Sequence, residues 1–182
     1  MSLATGYLGI ALLGATLILG ALNVLRRKTN PVSTDLRRDV GIWCGIVSLA
    51  HVVIGLQVHM GSMLLYFFND VEAQNHFSFR TNLFGLANYV GLFAVFLILF
   101  LLILSNDSSL RYLGKQRWKS FQRLNYVLML LVVFHSIAYQ ILENRQLKFL
   151  IVFGLIVGGT LTIQILGIRA KKSISTVPVN RK

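Results

Sequence analysis

Apolar residues in this chain come in runs of about twenty, the length an α-helix needs to cross a bilayer. The first run covers about Tyr7 to Leu25, with no charged residue before it. It lacks the basic start and short core of a cleaved leader, so it predicts a retained first helix. The segment RRKTNPVSTDLRRD, residues 26–39, breaks the pattern with five basic residues, Pro31 and candidate helix caps at Ser33 and Thr34. A second helix is predicted from about Val40 to Gly61, with a continuation to Phe68 left open. A third runs from about Asn82 to Leu104, a fourth from about Leu124 to Leu142 and a fifth from about Phe149 to Ile168. The polar stretch 69–81, a basic connection after SNDSS and the turn ENRQ join them, and the pattern does not decide whether a short helix lies within 62–80. The predicted fold class is all-α, a polytopic membrane bundle of about five spans.

Composition agrees: of 182 residues, 55% are hydrophobic and 13% charged, against about 25% charged in soluble domains. A net charge of +12 on a soluble surface would suggest nucleic acid. Here 15 of the 18 Lys and Arg residues fall in 26–39, 106–123 and the tail, all on one side of a five-span chain; Arg80, Arg145 and Lys148 lie on the other. That bias places the N-terminus outside and the C-terminus in the cytoplasm. The charge therefore reads as topology, with the lipid bilayer as partner and no nucleic acid. A bacterial inner (plasma) membrane is the expected location. The expected organisation is one transmembrane domain over 1–170 and a basic, mobile cytoplasmic tail over 171–182. Cys44 is the one cysteine, so an intramolecular disulfide and covalent heme attachment through CxxCH are excluded. Paired carboxylates, nucleophile triads and phosphate loops are missing from the sequence, which leaves hydrolysis and phosphoryl transfer without support.

His51 and His135 stand out because an ionisable side chain at membrane depth is costly. His51 lies 13 residues after Arg38 and His135 lies 12 after Arg123, on helices that run in the same direction. At about 1.5 Å per residue, both sit roughly 18–20 Å from the cytoplasmic end, in the outer half of a core of about 30 Å. Two imidazoles at one depth can hold a metal or a heme iron between them; singly, each would be read as a hydrogen bond to a neighbouring helix. Gly55 and Ala138, one turn beyond, leave room for a flat ring.

The stretches RRDVGIWCGIVSLAHVVIGLQVHMG, FGLANYVGLFAVFLILFLLILSND and LRYLGKQRWKSFQRLNYVLMLLVVFHSIAYQ, within residues 37–140, resemble the ferric reductase-like transmembrane domain family. That family includes the heme-bearing parts of ferric reductases and NADPH oxidases and the heme subunit of the methionine sulfoxide reductase system. The run WKxxxRLxY followed by a histidine carries most of the resemblance. In its fullest form the family has two histidines on each of two helices, about 13 positions apart. Here the outer pair matches His51 and His135, while Gln122, Arg37 and Arg38 stand at the inner positions. The resemblance implies one non-covalent heme b with those two axial ligands and no second heme. It also implies a ferric reductase-like electron-transfer role, with the enzyme class left to the acceptor. Flavin and nicotinamide domains are missing from these residues, so the expected donor is a quinol or a separate reductase, with an unassigned acceptor at the outer face.

Further candidates surround the pair. His59 is an alternative ligand, a propionate partner, part of a quinone or metal-substrate site, or an interfacial histidine touching water. His76, in the outer connection, reads as solvated, with a substrate-metal role as the alternative. Arg80 could pair with a heme propionate. Asn88 and Tyr89 could contact heme or a quinone, a further candidate cofactor, or simply bridge helices. Trp43, Trp118 and Tyr126 fit an interfacial aromatic belt, and GLIVGG, Gly154 to Gly159, contains a GxxxG spacing for close helix contact. The alternative function is a heme-free or heme-sensing membrane scaffold subunit of a redox complex.

Overall fold

The structure, a computed structural model, describes residues 1–26, 31–58, 62–69 and 78–175. It contains α1 (Ser2–Leu25), α2 (Pro31–Gly55), a 3-10 turn at Met63–Tyr66, α3 (Leu83–Leu104), α4 (Asp107–Gln122), α5 (Leu124–Leu142) and α6 (Leu147–Ser175). Five stretches are long and apolar enough to cross a membrane, with α4 and α5 together making one of them. The five-span, all-helical expectation holds.

Several boundaries differ from the sequence reading. α2 begins at Pro31, nine residues ahead of Val40, because proline's missing N–H costs nothing in a first helical turn. It stops at Gly55, short of Gly61 and Phe68. The chain then turns, and Phe68 pairs with Phe79 in an isolated antiparallel bridge. The basic connection is itself a helix, α4, capped by the Asn106 side chain accepting from Ser109 N–H at 2.7 Å. Gly114 kinks it at φ 72°, a left-handed value that glycine adopts without a Cβ clash. α6 continues past Ile168 to Ser175, and residues 176–182 lie outside the described chain.

The α5–α6 turn follows from its residues. Asn144 takes φ 45°, and Arg145 N–H donates to the Gln140 carbonyl at 3.1 Å while Asn144 N–H donates to that of Ile141 at 3.2 Å. This double bond pattern closes a helix end with a left-handed residue, a role asparagine tolerates. It folds Arg145 back toward Gln140.

α1 packs along α2 and α6, and α3 packs along α5. The two groups meet in one core of Ile10, Leu13 and Leu17 from α1, Cys44 from α2, Ala94, Ile98 and Leu101 from α3, and Leu128 and Met129 from α5. Polar ties cross the helices: Tyr126 donates to the Gln164 Oε1 at 3.1 Å, and Gln164 Nε2 donates to the Leu17 carbonyl at 2.5 Å. Such bonds in membranes are worth about 0.6 kcal/mol on average. Close packing of α1 on α6 is set at Gly14, where a Cβ would stand 2.7 Å from Thr160 Oγ1. By contrast Gly154, Gly158 and Gly159 have open space in front of them. Their GxxxG spacing therefore brings no helix close within the chain.

Replacing Gly14 by Leu should destabilise the bundle by about 1–3 kcal/mol through overpacking, read by chemical denaturation in mild detergent. Gly158→Leu should change the midpoint by no more than about 0.5 kcal/mol.

Candidate functional site

His51 and His135 come together. Their ring centres are 6.4 Å apart with planes at 89°. They reach each other from opposite helix groups, His51 from α2 beside α1 and His135 from α5 beside α3. Each ring is anchored the same way. His51 Nδ1 lies 3.0 Å from the Ser2 carbonyl, and His135 Nδ1 lies 2.9 Å from the Ala87 carbonyl. A carbonyl only accepts, so both Nδ1 atoms carry the proton and both Nε2 atoms carry the lone pair. Thr5 Oγ1, 3.1 Å from His51 Nδ1, donates its own proton to the Ser2 carbonyl at 2.9 Å and adds a second acceptor for the ring.

The glycines that admit these rings sit on the facing helices. A Cβ on Gly6 would lie 3.1 Å from His51 Cε1, and one on Gly91 would lie 2.9 Å from His135 Cε1 and Nδ1. Gly6 is four residues after Ser2, and Gly91 is four after Ala87. The same device therefore appears twice: a helix carbonyl takes the imidazole proton, and glycine one turn on keeps the approach clear. Sequence reasoning sought ring space on the histidines' own helices, at Gly55 and Ala138, and missed Gly6 and Gly91. A small residue followed four later by glycine, in the early turns of α1 and α3 that share the histidines' depth, was the available signal. Gly55, which lines the space around the pair, offers its carbonyl to the Tyr66 hydroxyl at 2.9 Å, and Ala138 is buried.

A cavity of about 390 Å³ surrounds the pair. Leu13, Ile98 and Leu128 line its end toward the basic side of the bundle, and Tyr66, Glu143 and Arg145 line the opposite mouth. Its size falls in the usual range for ligand sites, about 300–1,000 Å³.

Asn88 is buried and lines the cavity, yet its amide is occupied. Nδ2 donates to the Tyr66 carbonyl at 3.2 Å, and Oδ1 accepts from the Tyr139 hydroxyl at 2.7 Å. Asn88 thus bridges elements, the plainer of its two sequence readings. Tyr139 lays its ring 4.9 Å from that of His135, so this bridge also steadies the imidazole. Tyr89 donates to the Phe67 carbonyl and ties down the same connection. Arg80 lies at the start of α3, stacked over Phe84 at 5.2 Å, with its buried Nε unpartnered among the described residues. Gly85 permits this placement, since a Cβ there would fall 2.0 Å from the Arg80 carbonyl. His59 and His76 lie outside the described residues.

At the inner positions, Gln122 accepts from Asn125 Nδ2 at 3.3 Å. Arg37 lies against Gly20, where a Cβ would stand 2.9 Å from its Nη1. Arg38 pairs with Asp107 at 2.6 Å, joining α2 to α4. Trp118 donates to the Leu104 carbonyl at 2.9 Å.

The sequence profile of the family described as "Ferric reductase like transmembrane component" matches residues 5–133. No curated protein matches the chain.

Asn88→Leu removes one hydrogen-bond partner each from the Tyr139 hydroxyl and the Tyr66 carbonyl, and should cost about 1–3 kcal/mol. Tyr139→Phe should cost less, about 1 kcal/mol, because it leaves only the amide oxygen to be rehydrated. Denaturation of the two variants side by side in detergent checks the order.

Proposed function

The chain belongs to the ferric reductase like transmembrane component family, and we propose that it is a transmembrane b-type cytochrome holding one non-covalent heme b between His51 and His135. Family membership supports a membrane redox role. The observation that carries the finer reading is the pair itself: two imidazoles from different helices, each with its proton tied to a main-chain carbonyl and its other nitrogen free to ligate.

The residues fit such a group. The 6.4 Å between ring centres would leave room for one metal centre held by both imidazoles. Among the described residues no set of three or more His, Cys, Asp or Glu gathers to hold a bare ion. Two protein ligands complement an iron that brings four equatorial nitrogens of its own. Arg80, with its unpartnered buried Nε, is suited to neutralise a heme carboxylate.

When bound, the heme supplies a one-electron ferric/ferrous couple, and bis-imidazole ligation favours electron transfer over oxygen binding. The chain's residues do the rest. Ser2 and Ala87 fix the imidazole tautomers, Gly6 and Gly91 clear the approach, and Leu13, Ile98 and Leu128 keep water from the basic side. The clustering of basic residues supports a cytoplasmic orientation of that side, with the histidines in the outer half of a bacterial inner membrane. Electrons come from a quinol or a separate reductase and leave to an acceptor at the outer face.

The purified chain should show one heme b by pyridine hemochrome assay, lost in His51→Ala and in His135→Ala. Gly91→Val should weaken heme binding about 10–100-fold, as displacing a ligand's support does. Ring planes at 89° predict a strongly shifted low-spin electron paramagnetic resonance signal in place of the three-line pattern of parallel imidazoles. Wild type without heme, or heme retained in both alanine variants, rejects the assignment.

A further inference from the structure

The strongest unused polar group in the bundle is the side chain of Gln140. It is 8% exposed, lies near the end of α5, and its Oε1 is buried without a hydrogen-bond partner among the described residues. Burying a free amide costs free energy unless something completes it. Gln140 also stands between two spaces. It lines the histidine cavity, and it lines a second cavity of about 450 Å³ between α5 and α6. Arg145 and Phe153 are shared by the two as well.

The second cavity has one apolar wall and one polar end. Ile137, Ile141 and Leu150 form the wall, and all three are exposed on what is the lipid face of a membrane bundle. Asn144 and Arg145 join Gln140 at the polar end, placed there by the left-handed turn after α5. Arg145 at this end also pairs with Glu143, at 3.4 Å and partly exposed.

We propose that this groove binds the ring of a membrane-dissolved hydroquinone and of the corresponding quinone. The groove opens to lipid, so its ligand arrives from the bilayer with an apolar body. The free amide selects the head group. Its Oε1 accepts the O–H of a hydroquinone, and its Nε2 donates to the C=O of a quinone, so one side chain serves both redox forms. Asn88 and Tyr89 are less suited to this role, because their polar groups already bond Tyr66, Tyr139 and Phe67. The proposal rests on the electron-transfer reading of the histidine pair, for which it names the donor. One hydroquinone gives up two electrons, which the single heme, when bound, would pass on one at a time, with the outer-face acceptor taking the first before the second is given. Its two hydroxyl protons pass to water at the Glu143–Arg145 pair, and quinone leaves.

The test measures equilibrium binding of tritiated decylubiquinone to the full chain in nanodiscs, together with heme content and dithionite reduction. Saturable binding to wild type should weaken about tenfold in Gln140→Leu, the loss expected for one buried hydrogen-bonding group. Leu150→Trp, which fills the groove from an exposed position on α6, should weaken it similarly, and heme content and dithionite reduction should be unchanged in both. Equal binding in wild type and both variants overturns the site. So does heme-loaded wild type that binds no decylubiquinone. Wild type that binds it through Gln140 yet carries no heme supports the site and sinks the electron-transfer reading instead.

Discussion

An imidazole buried among apolar helices must place its N–H on an acceptor, and the choice of acceptor decides what the other nitrogen can do. In this protein both acceptors are main-chain carbonyls, Ser2 for His51 and Ala87 for His135. A carbonyl cannot donate, so the tautomer is fixed at both rings. Helix carbonyls are normally screened by the side chain one turn on. Glycine at positions 6 and 91 removes that screen. The pairings of α1 with α2 and of α3 with α5 are therefore tied to the same two contacts that orient the imidazoles.

The rest of the bundle serves this arrangement at its two ends. Toward the basic side, leucine and isoleucine from three helices close the cavity, and Tyr126, Gln164 and Leu17 link α5, α6 and α1. At the opposite end, Asn88 and Tyr89 hold the 3-10 turn against α3, and Tyr139 passes that order on to His135. Arg80, Gln140 and, at the inner positions, Gln122 differ from these structural polar groups in having buried atoms without a hydrogen-bond partner among the described residues. Of the three, Gln140 lines the histidine cavity. At the basic end Arg38 pairs with Asp107, and Trp118 donates to the end of α3.

Much was legible in the sequence for a physical reason: a bilayer imposes length and apolarity on each span, and both are visible one residue at a time. Five spans, the segregation of basic residues and the matched depth of His51 and His135 follow from counting along the chain. The family resemblance followed from residues 37–140 and agrees with the profile match over 5–133. Facing relations between helices were not countable in this way. Gly6 and Gly91 are unremarkable in an apolar run until α1 and α3 are laid against the histidine helices. The role of Asn88 was likewise open until Tyr139, fifty-one positions away, came within 2.7 Å of it. GxxxG in α6 misled in the other direction, because spacing shows that a close approach is sterically allowed and not that a partner is there. By itself the sequence determined the spans and the shared depth of the two imidazoles, since both are local consequences of solvation. Only the tertiary structure decided which carbonyls take their protons, which glycines admit their rings and which buried amides keep an unpartnered atom, because each of those depends on a neighbour that the order of residues does not name.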